Sequence, residues 1–187
     1  MYHTKMEANG HIYPINTDYR IAIACFKALN DEKITDLERF YAVETLLLGE
    51  NVLFEDEFII KEKIELYLRC GRETNVSDDQ IDFDYIQDEE KVRTSIRQVY
   101  NNLDIGKIDY LHWYEYNELI EGLTNECLIN KVREVRNLNE NDYENQKDKD
   151  RVIEAKKQVA LKTKVNYLTE EEKESIKEFY ILNGLEQ

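Results

Sequence analysis

Apolar residues recur at helical spacing along most of the chain, and cap signals punctuate them. After Asn16, Thr17 or Asp18, each able to cap, Ile21, Cys25, Ala28 and Leu29 share one face of a helix that Asn30-Asp31 breaks. Thr35 and Glu38 have the spacing of a capping box, and Leu37, Phe40, Tyr41, Glu44, Leu47 and Leu48 carry a second helix to Gly49. A third, over residues 55–70, uses Phe58, Ile59, Ile64, Tyr67 and Leu68 before Gly71. These three are expected to form one antiparallel set. Polar residues 72–82 read as an exposed loop, and a fourth helix reaching about Asn102 buries Val92, Ile96, Val99 and Tyr100.

The central stretch is a helical hairpin around the single tryptophan. Leu111, Trp113, Tyr116, Leu119, Ile120 and Leu123 line its first arm, which Gly122 helps to close. A second arm opens at Thr124 or Asn125, buries Leu128, Val132 and Val135, and ends with Arg133 and Arg136 facing the negative end of the helix dipole. The hairpin is expected to lie against the fourth helix. Residues 137–150 are polar, a charged helix with Val152, Ala155, Val159 and Val165 follows, and Thr169 with Glu172 caps a last apolar segment containing Ile176, Phe179, Tyr180 and Leu182. The expectation is an all-α fold: a single helical domain of about six to seven helices, antiparallel and bundle-like. Residues 1–16 would form an N-terminal arm, 17–136 the helical core and 137–187 a charged helical C-terminal extension.

Composition supports helices, since the 187 residues include one Pro and 6 Gly, few for a turn-rich β protein. Forty acidic against 25 basic residues give a net charge of −15, which opposes nonspecific binding to nucleic acid or membranes. Cys25, Cys70 and Cys127 have no paired spacing, so neither a disulfide framework nor a zinc knuckle is expected, and the absence of a leader or an apolar span points to the cytosol. The acids from Asp78 to Glu90 suggest a calcium loop, but Phe83 falls where that loop needs Gly. Asp82 or Asp84 as a helix cap is the simpler reading. No phosphate loop, nucleophile elbow or paired histidine motif is present, so no catalytic residue, metal ligand or cofactor is assigned. His112 is expected to fill space beside Trp113 and bond a backbone carbonyl.

Leu111-His112-Trp113, the aromatic Tyr116, Leu119, Gly122-Leu123 and a closing Arg136 together resemble the signature of the phage Gp-fifteen protein family. Residues 13–20, Asp82 to Tyr85 with Asp88, and residues 96–105 match in order. The family usually carries two tryptophans and a phenylalanine where this chain has Trp113, Tyr114 and Tyr116. The resemblance implies a phage or prophage protein encoded in the tail module and working in the host bacterial cytoplasm. It would be a non-enzymatic tail assembly chaperone for the tape-measure protein or the tail-tube subunit. An acidic inhibitor or DNA mimic of a basic host protein is the alternative, although interspersed Lys91, Arg93 and Arg97 dilute a phosphate-like pattern. His112, Trp113, Tyr116, Gly122 and Arg136 are the structural motif. Tyr114, which points away from the Trp113 face, and Ile176, Phe179 and Tyr180 are the candidate partner contacts; the last segment either packs at home or serves as a swapped, homo-oligomer-forming element.

Overall fold

Among residues 2–49, 52–72 and 81–162, which the computed structural model describes, the first element is a β-hairpin. Strands β1 (Lys5–Ala8) and β2 (His11–Pro14) pair antiparallel. The two-residue turn is Asn9-Gly10, with φ of 48° and 86°, the left-handed pair that a primed turn requires. Met6, Ala8 and Tyr13 alternate inward and are buried. Lys5 faces Pro14 across a non-hydrogen-bonded pair, where the missing proline N–H costs nothing. This hairpin corrects the all-α expectation. The fold is α-rich, with seven α-helices among the described residues and one two-stranded sheet. Four-residue strands are too short for alternation to stand out against helical periodicity.

A buried carboxylate fastens the hairpin. Asp56 ends a 3-10 turn (Phe54–Asp56) and is wholly buried. It accepts hydrogen bonds from Asn9 Nδ2 at 2.8 Å, from His11 Nδ1 at 2.8 Å and from the Tyr13 hydroxyl. Burial alone would raise its pKa; the bonds from Tyr13, Asn9 and His11 outweigh that and hold it below the usual range.

The helices follow their caps. Asp18 accepts the Arg20 N–H to open α1 (Tyr19–Leu29), and the Thr35–Glu38 capping box opens α2 (Asp36–Leu48). Helix α3 (Glu57–Leu68) closes on Cys70 and Gly71, both left-handed. The buried stripes are rotated from those read in the sequence: α1 buries Tyr19, Ala22, Ile23, Cys25 and Phe26, and α2 buries Phe40, Val43, Glu44 and Leu47, leaving Leu37 and Tyr41 exposed. Then come α4 (Glu89–Val99), α5 (Trp113–Glu121), α6 (Leu128–Asn137) and α7 (Gln146–Val159). Helix α6 starts later than Thr124 or Asn125, because its free N–H groups are capped from α4. Gln98 Oε1 accepts from Leu128 N–H at 3.2 Å, and the buried Ser95 Oγ accepts from Ile129 N–H at 2.9 Å.

These elements group into two units. One holds β1, β2, α1–α3 and Tyr110–Tyr116; the other holds α4, residues 117–121, α6 and α7. The hairpin expected to lie against the fourth helix does so through residues 117–121 and α6, which belong with α4, whereas Trp113 packs with the first unit.

Two features lead to stability predictions. A Cβ at Gly122 would land on the Tyr100 hydroxyl, which donates to the Leu119 carbonyl at 3.0 Å. Gly122→Ala should displace that hydroxyl and destabilise the protein by about 1–2 kcal/mol in chemical denaturation. Glu44 is buried with Oε2 lacking any hydrogen-bond partner, and burial followed by the Glu57 charge pushes its pKa up to about 7. The folded state thus holds a proton that an unfolded glutamate releases near pH ~4.3. Its neutral form costs nothing below that pH, and stability declines as pH rises through about 7. Glu44→Gln should therefore raise stability at pH 8, by on the order of 1–3 kcal/mol, and have little effect at pH 4.

Candidate functional site

The Trp113 motif begins where residues 17–19 meet residues 111–113. Tyr19 N–H donates to the Leu111 carbonyl at 2.9 Å, and Trp113 N–H to the Thr17 carbonyl at 2.8 Å. Trp113 is fully buried, and its indole N–H reaches the Leu68 carbonyl at the end of α3, at 3.2 Å. Its ring stacks with Tyr116 at 5.8 Å, Tyr116 stacks with Tyr19 at 4.6 Å, and Phe26 leans on the other side. His112 caps α5: Nδ1 accepts the Tyr114 N–H at 3.0 Å, which places the ring proton on Nε2, 3.4 Å from the His3 carbonyl. These contacts account for His112, Trp113 and Tyr116 as packing and capping residues.

Tyr114 behaves differently. It is half-buried and stacks on Tyr67 of α3 with ring centroids 5.4 Å apart. Burial, with a smaller contribution from Cys70, pushes its hydroxyl up to about 12. Tyr67 and Tyr114 lie in a groove of about 450 Å³. One wall is β1 with the residues before it; the other is α3, through Lys63, Leu66 and Tyr67. Tyr67, Met6 and Ile15 are buried and form the floor, whereas Lys5 and Leu66 stand exposed at the rim. Sequence reasoning missed every groove residue except Tyr114. The usable signal was Asn9-Gly10, which marks a tight turn between two strands and so the strand that forms one wall. The other candidate contacts, Ile176, Phe179 and Tyr180, lie outside the described residues.

The second unit is centred on Arg136, which does more than face a helix dipole. It is buried and grips the fully buried Asp88 with two bonds, Nη1–Oδ2 at 2.6 Å and Nη2–Oδ1 at 2.8 Å. The same side chain donates to the Asp82 carbonyl at 2.7 Å and the Val159 carbonyl at 2.6 Å. Asp88 also receives Lys91 and the Asp84 N–H. Burial would raise its pKa, but the hydrogen bonds from Arg136, Lys91 and Asp84 and the Arg136 charge hold it below the usual range. Asp84 Oδ1 accepts from the N–H groups of Ile86 and Gln87 at 2.8 and 2.7 Å, shaping the turn before α4. Within the described part of the acidic run, Asp84 thus shapes a turn and Asp82 and Asp88 pair with Arg133 and Arg136; neither Asp82 nor Asp84 caps α4, which opens after Asp88 without a side-chain cap bond.

Among the described residues no group of three or more His, Cys, Asp or Glu is placed to hold a metal ion, and no helix is long and apolar enough to cross a membrane. Fold and site define an acidic, α-rich protein with a buried aromatic column, a buried ion pair and an open groove beside a strand. The chain belongs to the bacteriophage Gp15 protein family, whose model matches residues 3–161. No curated protein matches the chain. No solved structure matches it either.

Because Arg136 satisfies a buried carboxylate and two carbonyls at once, Arg136→Ala should cost about 3–5 kcal/mol in urea denaturation. Arg136→Lys should also destabilise, since a single ammonium cannot replace the planar fork.

Proposed function

We propose that this phage protein is a non-enzymatic tail assembly factor that acts in the host bacterial cytoplasm and binds the tape-measure protein or the tail-tube subunit during tail morphogenesis. The observation that carries the reading is membership of the Gp15 family over residues 3–161 of 187, joined to the tail-module role that the resemblance implies. The groove beside Tyr114 supports it, because an aromatic floor open at the surface suits capture of an extended client. A net charge of −15 suits a chaperone, keeping a complex with an apolar client soluble.

Co-expression of the full chain with fragments of its phage's tape-measure protein, and with the tube protein, tests this. At least one client is expected to become soluble and to co-purify, and a Phe179→Asp, Tyr180→Asp variant is expected to weaken the complex if the last segment contributes. No complex with any client, together with normal tails in a deletion phage, would sink the reading.

A further inference from the structure

We infer that the groove between β1 and α3 receives an extended segment of the partner as a third strand, paired to the free edge of β1. The inference rests on the tail reading above for the partner's identity. The edge is defined by register. Residues 4, 6 and 8 turn their backbone groups toward β2, as the 2.9 Å bond from Ile15 N–H to the Thr4 carbonyl shows at one end. Lys5 and Glu7 therefore turn theirs outward, into the groove they line. Among the described residues nothing pairs with the outward N–H groups of Lys5 and Glu7 or with the Lys5 carbonyl. The one outward group that is taken, the Glu7 carbonyl, is held by the Lys63 ammonium.

That contact is a side-chain guard on a strand edge, a common device against unwanted pairing. A partner N–H can replace it, and the released Lys63 ammonium then needs an anion. Lys5 lines the same groove, and against the single carboxylate of Glu7 the two lysines leave it a net positive charge in a chain of net −15. The occupant is accordingly an extended stretch that carries a carboxylate between apolar or aromatic residues. Its backbone pairs with Lys5 and Glu7, alternate side chains reach the floor at Tyr67 and Tyr114, and its acid meets Lys5 and Lys63. The −15 charge of each copy disfavours a second copy in the same place.

Residue-resolved amide exchange on the full chain, alone and with the co-purifying tape-measure or tube fragment, provides the test. The Lys5 and Glu7 amides should exchange freely in the free protein and become protected in the complex, while Met6 and Ala8 are protected in both. Glu7→Pro removes an outward N–H that the hairpin does not use and should weaken binding roughly five- to tenfold, the value of one backbone bond. Leu66→Glu alters only an exposed rim residue, leaves the backbone intact, and should weaken binding by repulsion. Its retained Met6 and Ala8 protection serves as the folding control. A complex that forms with Lys5 and Glu7 still exchanging freely, or at wild-type strength in Leu66→Glu, overturns the strand-addition model and leaves the tail reading standing. Failure of every fragment to bind overturns the tail reading and this occupant together.

Discussion

A fully buried indole N–H must find an acceptor, and the first unit is arranged to supply one. Trp113 reaches the Leu68 carbonyl, a group freed by the end of α3. To hold the ring there, the backbone of residues 111–113 is clipped to residues 17–19 by two hydrogen bonds. Those clips set where α5 starts, which puts His112 at its N-cap and Tyr114 at the position whose N–H the imidazole accepts. Tyr116 then falls between Trp113 and Tyr19. The tryptophan thus fixes chain ends of three helices, and Tyr114 is delivered to the groove as a consequence of that register.

Three buried carboxylates show how differently the chain treats the same chemical problem. Asp56 is satisfied by donors from the hairpin, so its solvation cost is offset only when β1 and β2 are in place. Asp88 is satisfied by Arg136 in a two-bond grip that a shifted helix could not make. Both remain charged, held below the usual carboxylate range, and both tie residues distant in sequence. Such pairs contribute less to net stability than to the choice of one arrangement, because a misplaced partner leaves an unpaired buried charge. Glu44 has no such donor on Oε2 and responds by holding its proton.

Helices were legible in the sequence because their local rules agree: the Thr35–Glu38 box and the 3.6-residue apolar spacing both point one way. Which face of a helix is buried was less legible. Leu37 and Tyr41 are apolar yet exposed, while Val43, absent from the stripe read in the sequence, is buried, an outcome decided by tertiary neighbours. The capping of α6 by Ser95 and Gln98 is invisible to local rules, since the donor and acceptor lie over thirty residues apart for Ser95. The hairpin was within reach, because Asn9-Gly10 is a strong turn signal, but four-residue strands gave too little alternation to outweigh the helical reading. Tyr114 was legible as the odd aromatic of its helix. The groove around it was not, because its walls come from β1 and α3.

An open strand edge is a liability in most proteins, since it invites pairing with any extended chain. Two features restrain it here. The Lys63 ammonium occupies the Glu7 carbonyl, and Lys5 stands exposed on the same strand. Both guards are cations, whereas the chain as a whole is strongly anionic. A proline on β1 would instead remove one outward N–H and weaken pairing with every partner alike. Cationic guards close it selectively: they yield to a segment bearing its own carboxylate, while the long-range repulsion between like-charged copies holds self-association back. The cations at β1 thus supply the discrimination, and the net charge of the whole chain supplies the repulsion.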